Sequence, residues 1–538
     1  MVKRFQMLRR YPGWWSVAFF LLPLIIPTII VVENDGHAVN SNTDDHQNRK
    51  LLEHGLRGGN VGTGESWTSP GVDSSDLISA ADPAVLSSNV TIPLHAHSGT
   101  WHVHVYVGSP PQRQTLIVDT GSKAMAFPCK TCETCTECCG SHASPYFDPF
   151  QSTTHRITKC GDCLLEGISK CPLYSFGLDS SLQGAEGNSN FCTFTQRYTE
   201  GSSWTATEVE DIVWLGSEDL VESVEGFLPQ LAIAYPFGCQ TSSKGLFQKQ
   251  YADGILGLSI HNTSIVTALY GEGLIPQNAF SLCFTHEGGV MSLGGTLDPK
   301  KYHFRPIVTT PLTRQQDHGY YSVEVIRLLV GRNGGSDPSG EESIVITDSE
   351  TRPKLLRDMN AGKGCILDSG TTDSYFPSSL ARVVRKAVID YASSSNLHDN
   401  DSGNGYNAEN VDLFSNKWRH RMYTYAEFQA LLPTVTVVLA NNATVDILPL
   451  HYMERVPIDS KTGWVVPWKG SRELANRLYF EESAGSVLGT NAFFGYDLLF
   501  DSTLPGRHRV GIAPADCHAA LARSSTAATA EGMAMDLQ

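Results

Sequence analysis

Positive charge is scarce in this chain. Its 538 residues carry 40 lysines and arginines against 56 aspartates and glutamates, a formal net charge of −16. A nucleic-acid binder needs a basic face, so that class is excluded and no nucleic-acid partner is expected. Apolar sequence is also missing from two stretches. From Glu33 to about Asp82 the chain is rich in Asn, Ser, Gly and Asp, so 39–85 reads as a prosegment or linker and not as a core. Ala519 to Gln538 is small and polar, so 519–538 is expected to be a flexible tail without a membrane span. The 13 cysteines are odd in number, which leaves at least one thiol without an intramolecular partner.

What is present bounds the rest. The length is too great for one ordinary core, and 41% hydrophobic content with 48 glycines suits a globular, strand-rich protein. At the start, Lys3, Arg4, Arg9 and Arg10 precede an apolar run from Trp14 to Val32, just long enough to cross a bilayer. Charge before the run leaves the N-terminus cytosolic. Gly36-His37-Ala38 offers a cleavage site, so 1–38 reads either as a signal peptide or as a type II anchor giving membrane association through residues 14–32. Either form delivers the chain to the secretory pathway, as a protein of the endoplasmic reticulum or Golgi lumen or as a secreted one. Eight cysteines between Cys129 and Cys171 suit that oxidising compartment. The even spacing of Cys129, Cys132, Cys135 and Cys138 would also suit zinc ligands. With a secretory signal upstream, disulfides are the reading, and neither metal nor cofactor is expected. Asn89, Asn262 and Asn442 each open a glycosylation sequon.

Strand patterning begins near Val90. His102 to Gly108 alternates, Ser109-Pro110-Pro111 turns the chain, and Gln114 to Val118 returns as a strand. His102 and His104 read as a polar strand face. A short, polar, cysteine-stapled insertion spans 129–171. Tyr198-Thr199-Glu200-Gly201-Ser202-Ser203-Trp204 reads as a tight turn between two strands. Tyr320 to Val330 alternates as a strand, and 331–364 and 393–418 read as polar insertions. A helix is expected from Ser378 to Tyr391.

The feature that orders all of this is a repeat. Leu116-Ile117-Val118 delivers Asp119-Thr120-Gly121-Ser122, and Ile366-Leu367 delivers Asp368-Ser369-Gly370-Thr371. Each is followed later by an apolar-apolar-Gly segment, Ile255-Leu256-Gly257 and Val487-Leu488-Gly489. On these residues, with Tyr198 and Gly201, the stretch from Val90 to Cys517 resembles the pepsin-like aspartic proteases. The resemblance implies a mostly β, bilobal fold with a substrate cleft between two pseudo-symmetric lobes, here 86–300 and 301–518. The insertion after Phe127-Pro128 is similar to that of the plasmepsin V group of export proteases and to the nepenthesin insertion of plant enzymes. Unlike the plasmepsin V group, the chain shows no anchor at its C-terminal end.

The resemblance assigns roles residue by residue. Asp119 and Asp368 would share one water and hydrolyse peptide bonds. Gly121 and Gly370 would let backbone amides approach the carboxylates, Ser122 and Thr371 would bond their outer oxygens, and Thr120 and Ser369 would tie the loops together. Pepsins place a Trp seven residues after the first aspartate, where it bonds the flap tyrosine; here that residue is Ala126. β-Secretase also has Ala there and uses a Trp beyond its flap tyrosine. Trp204 is therefore expected to donate to the Tyr198 hydroxyl, with plain apolar packing as the alternative. Glu200, at the flap tip with Gly201, would hold a substrate arginine, although Gln240 stands where a second acid is expected.

The segment Arg49-Lys50-Leu51-Leu52-Glu53 matches the Arg-x-Leu-x-Glu export pattern, which suggests processing after Leu51. Cys283 and Cys517 look like a family disulfide, the insertion cysteines are expected to pair mostly among themselves, and Cys239 and Cys365 are the candidates for a free thiol. The expected protein is a monomeric aspartic endopeptidase, made as a zymogen and acting on protein or peptide substrates at Arg-x-Leu-type motifs. Alternatives are a broad acid protease of nepenthesin type and a non-catalytic binding or adhesion module.

Overall fold

The computed structural model describes residues 89–130, 140–171, 191–216, 231–313, 319–332, 343–394, 432–453 and 476–524. The expectations for 1–38 and 39–85, Leu51, Cys132, Cys135, Cys138, Cys139 and nearly all of 393–418 lie outside these residues. No described helix is long and apolar enough to cross a membrane.

Among the described residues the architecture is mostly β, in three sheets. The largest has fourteen strands and runs through both halves of the chain. Its middle is an antiparallel ladder in which Val90–His97 pairs with Gly288–Leu293, and Ala279–Phe284 pairs with Tyr496–Asp501 of the second half. The halves are therefore joined by shared hydrogen bonds and by one continuous core that includes Leu282, Met291, Leu498 and Phe500. A five-stranded sheet carries Ser322–Val323, Cys365–Leu367, Ser486–Leu488, Ser374–Pro377 and Leu478–Glu482 in that order. A four-stranded sheet carries Ser343–Thr347, Val325–Gly331, Thr434–Leu439 and Thr444–Ile447.

The expected hairpin forms as Thr100–Val107 against Gln112–Asp119, with Val103 opposite Leu116 and His102 opposite Ile117. Pseudo-symmetry is visible in the strand pairing. Leu116 to Asp119 runs parallel to Gly254–Gly257, and Cys365–Leu367 runs parallel to Ser486–Leu488. Gly257 and Gly489 close the two parallel strands. A Cβ on Gly257 would overlap the backbone of Ala124, and one on Gly489 the carbonyl of Asp373. Glycine is thus dictated by close backbone approach.

Several expectations are corrected. The alternation from Tyr320 to Val330 belongs to two strands in two sheets, because the chain changes sheet at Glu324. Within the expected polar insertion 331–364, Ser343–Thr347 pairs with Val325–Gly331 and Pro353–Met359 is helical, so polar composition here marks a half-exposed edge. Residues 517–524 are helical, and Ala520 packs beside Cys283 and Cys517, so folded structure reaches into the expected tail. His102 is buried and not on a polar face: its ring lies 5.7 Å from that of His95 and 5.6 Å from that of Tyr251, which cover it. The expected helix after Ser378 is present as Ala381–Ser394.

Among the described cysteines the pairing is mixed. Cys283–Cys517 forms as expected. Cys160–Cys171 is internal to the insertion, but Cys129 pairs with Cys239 and Cys163 with Cys192, so the insertion is stapled to the sheet beneath it. Cys239 is therefore not a free thiol. Cys365 is the free cysteine among the described residues, and burial pushes its thiol up to about 12, which leaves it inert. Two buried carboxylates complete the attachment: Glu208 accepts from the amides of Leu164 and Leu165, and Asp253 from those of Thr115 and Ser144. Asn89, Asn262 and Asn442 are all exposed.

Candidate active site

The two Asp-containing turns meet at the junction of the halves. Each leaves a strand whose next hydrogen bond goes to its partner segment: Leu258 N donates to Asp119 O at 2.8 Å, and Asp368 N donates to Leu488 O at 3.0 Å. Between the turns the bonds are reciprocal. Thr120 N donates to Ser369 Oγ at 3.1 Å and Ser369 N to Thr120 Oγ1 at 2.9 Å. Thr120 Oγ1 in turn donates to Leu367 O at 3.0 Å, and Ser369 Oγ to Val118 O at 2.8 Å. All four partners are buried, so each hydroxyl is fully engaged and the turns are locked in register.

This lock sets the carboxyls face to face. Gly370 lies so close to Asp119 that a Cβ there would overlap its carboxyl group. Gly121 N donates to Asp119 Oδ1 at 2.8 Å and Gly370 N to Asp368 Oδ1 at 3.0 Å. Thr371 Oγ1 donates to Asp368 Oδ2 at 2.8 Å. In the other half Ser122 stands beside the Asp119 carboxyl and favours its charged form, as Thr371 does for Asp368, but Ser122 Oγ and Asp119 Oδ2, both buried, make no bond of full hydrogen-bond geometry among the described residues. The carboxyl of Asp119 is raised well above the usual range by burial first and by the charge of Asp368 second; burial also raises Asp368. Two such groups hold a proton between them near neutrality and titrate as a pair.

Over the dyad stands a hairpin of Thr193–Arg197 and Ser203–Leu215. Its turn closes with Tyr198 N donating to Ser202 O at 2.9 Å, and Gly201 takes φ +97°, a conformation that favours glycine. Trp204 Nε1 donates to the Tyr198 hydroxyl at 3.2 Å, the contact expected from the sequence. Both are buried with Phe194, Phe247 and Ile117 in a small cluster separate from the main core. Tyr198 senses the Asp119 charge, which, after burial, holds its phenol protonated. Removing the indole donor by Trp204→Phe is expected to lower kcat/KM about three- to tenfold, the weight of one hydrogen bond, without loss of folding. Peptide turnover and a melting curve on the same sample check this.

Glu200 is half-buried at the hairpin tip. Its Oε2 is buried without a partner, and burial raises its carboxyl. Gln240 is buried opposite Ala206, a member of the hairpin cluster, and its Nε2 has no partner. Sequence reading missed Thr490, whose hydroxyl lies 3.1 Å from both Ser369 O and Thr371 O, and Asp373, discussed below. No motif marks either; Thr490 follows the apolar-Gly segment, and that adjacency is the available signal.

Two β-rich halves, parallel strand pairs on each side of a shared turn, and two buried aspartates under a hairpin define the pepsin-like aspartic protease class. The chain has a fold of that kind. Comparison with known proteins agrees. The family described as "Xylanase inhibitor N-terminal" matches residues 101–295. The chain is 32% identical over 204 residues to aspartic protease 5 of Toxoplasma gondii, covering 36% of this chain and 19% of that protein. It is 28% identical over 260 residues to aspartyl protease family protein 1 of Arabidopsis thaliana, covering 46% and 44%. Against plasmepsin V of Plasmodium falciparum it is 28% identical over 199 residues, covering 36% and 29%. The matches thus span less than half the length of each of these three relatives.

Proposed function

We propose that the protein is an aspartic endopeptidase of the secretory pathway that processes proteins at Arg-x-Leu-type motifs. The reciprocal locking of the Asp119 and Asp368 turns is the observation that carries the catalytic part. In this reading the ionised carboxyl takes a proton from a bound water, and the water oxygen attacks the scissile carbonyl carbon. The protonated carboxyl donates to the carbonyl oxygen as charge develops there. The carboxyl that took the water proton then passes it to the amide nitrogen, the C–N bond breaks to release the amine, and the proton on the former carbonyl oxygen returns to the other carboxyl. Tyr198, held by Trp204, closes the site from above.

The preference for arginine rests on Glu200. Its unpartnered, half-buried oxygen can accept from a guanidinium, a charge-assisted bond stronger than a neutral one. Glu200→Ala should then lower kcat/KM about tenfold more for arginine-bearing peptides than for arginine-free ones. Equal losses on both sets would leave Glu200 as a turn residue only. Secretory residence follows from the N-terminal apolar run and agrees with the four disulfides of the described residues. Processing after Leu51 would remove the apolar N-terminal run from the folded body; N-terminal sequencing of mature protein decides it.

The family description "Xylanase inhibitor N-terminal" favours a second reading, a binding module that keeps the fold without turnover. A cleavage profile of the purified chain on a peptide library, with Asp119→Asn as blank, separates the two. Cuts after Leu in Arg-x-Leu sequences support the proposal. Cuts between large apolar residues regardless of Arg would indicate a broad digestive protease, and no cuts would indicate the binding module.

A further inference from the structure

The loop that carries Asp368 holds a second buried carboxyl that the reaction above does not use. Asp373 lies just before the strand Ser374–Pro377, and its side chain is 3% exposed. Its Oδ2 faces Arg477 Nη1 at 3.4 Å, while its Oδ1 is buried with no hydrogen-bond partner among the described residues. The hydroxyl of Tyr375, two residues on, is likewise buried and unpartnered. Two orphaned polar atoms side by side are costly in a folded interior unless a ligand completes them.

Strand alternation gives their direction. Ser374 turns inward, its Oγ 2.6 Å from Asn491 Oδ1 and accepting from Gly489 N at 3.2 Å, and Phe376 lies in the main core. Tyr375 therefore takes the opposite face, where it packs with Ile366 and Val487 in a cluster apart from that core. Ile366 stands two residues before Asp368, so this face leads to the catalytic carboxyl. Ile117 has the same place before Asp119, in the cluster that holds Tyr198. The two small clusters thus take matching places in the two halves, each on the face of the strand that leads to its aspartate. Low exposure does not remove Asp373 from a substrate cleft, since Asp119 and Asp368 are themselves 0% exposed beneath the hairpin.

The surroundings are built. Arg477 O accepts from Ser374 N at 3.3 Å and from Asn491 Nδ2 at 3.0 Å, which fixes where its guanidinium starts. Thr372 Oγ1 donates to Gly99 O at 2.8 Å and pins the loop to the first half. Arg477 and Tyr375 are the charged and titratable groups that face Asp373, and Tyr375 in turn faces Tyr479, Glu481 and Arg477.

We propose that Asp373, Tyr375 and Arg477 form a specificity subsite on the Asp368 side of the cleft, taking an N–H-donating side chain of the substrate. This rests on the peptidase reading. The donor reaches Asp373 Oδ1 and the Tyr375 hydroxyl, while Arg477 keeps the carboxyl ionised. Burial raises that carboxyl to about 6, so its charge changes within the range a secretory enzyme meets. Lysine, arginine and glutamine share the required chemistry, and the aliphatic isostere norleucine lacks it.

The test uses the full chain and peptides carrying lysine, glutamine or norleucine at each position around the cut. The wild type should prefer lysine and glutamine to norleucine at one position. There the lysine-to-norleucine ratio of kcat/KM should fall about tenfold in Asp373→Ala. In Asp373→Asn, which keeps an acceptor oxygen, glutamine should be retained better than lysine. The wild-type lysine preference should grow as pH rises through about 6, and that dependence should vanish in Asp373→Asn. A purely structural role would lower all peptides alike, and unchanged ratios at every position overturn the subsite. Peptides with a reduced scissile bond, followed by fluorescence anisotropy, read the same ratios without turnover. Failure of the wild type to cleave any peptide would therefore remove the peptidase reading, while the anisotropy ratios still decide the subsite.

Discussion

Asp119→Asn and Asp368→Asn are each expected to lower kcat/KM on peptides by at least about a thousandfold, with the double variant no worse than either single one. The two carboxyls act as one unit, so removing either empties the reaction of its acid–base pair. Gly370→Ala should approach the same loss by another route, because its methyl group would displace the Asp119 carboxyl. Turnover of a pure Asp119→Asn sample within tenfold of wild type would end the assignment.

The same substitution carries a stability signature of opposite sign. Burial, and for Asp119 the neighbouring charge, raises both carboxyls above the usual range. The folded state therefore binds protons here more tightly than the unfolded chain does. The stability this confers is complete below the unfolded value of about 3.9 and is lost as pH rises through the folded-state values. Asp119→Asn relieves part of that loss. Its melting temperature should exceed that of wild type near neutral pH, and the difference should shrink towards pH 4. The acid limb of the wild-type activity profile should likewise lie above the ordinary carboxylate range. A variant that melts lower at every pH would contradict this account.

Removing the Cys129–Cys239 bridge by a double alanine substitution is expected to lower stability by about 2–5 kcal/mol, or on the order of 10 °C in melting temperature. The bridge closes a segment of 110 residues, so its loss frees a long loop in the unfolded chain. It also supports a weak point of the fold. Cys129 follows Ala126–Pro128, a three-residue strand held parallel to Ile233–Lys244 through Ala126 opposite Gly238 and Phe127 opposite Cys239. Gly238 belongs to the same wall as Phe194 and Ala206 beneath the hairpin, so loosening this strand should also reduce turnover. Calorimetry and peptide hydrolysis on one preparation check both effects. A melting temperature within about 1 °C of wild type would mean that the sheet holds without the bridge.

Legibility followed the range of the interaction. The hairpin into Asp119, the tight turn at Tyr198 and the helix after Ser378 are each set by neighbours in the chain, so alternation and turn chemistry revealed them. Trp204 was readable because its partner lies six residues away on the same hairpin. The bridges from Cys129 to Cys239 and from Cys163 to Cys192 were not, because spacing carries no information on which distant strand lies alongside. The same holds for His102, whose alternation suggested a polar face until Tyr251 and His95 covered it. Tyr320 to Val330 kept one period across two sheets, and the period alone does not show where a strand changes partners.

Taken by itself, the sequence determined the two aspartates, the glycines and hydroxyls around them and the β character of the chain. Those features depend on local steric and hydrogen-bonding demands that a short motif records. Tertiary structure decided everything that needs two remote segments in contact. The reciprocal bonds between Thr120 and Ser369 make one site of two turns. Around Ile117 and Ile366 side chains from several strands gather into two clusters apart from the main core. The burial that raises both carboxyls exists only once the halves close on each other. An Asp-Thr-Gly turn alone is an ordinary loop; its chemistry here arises because a second aspartate is brought against it in a buried space.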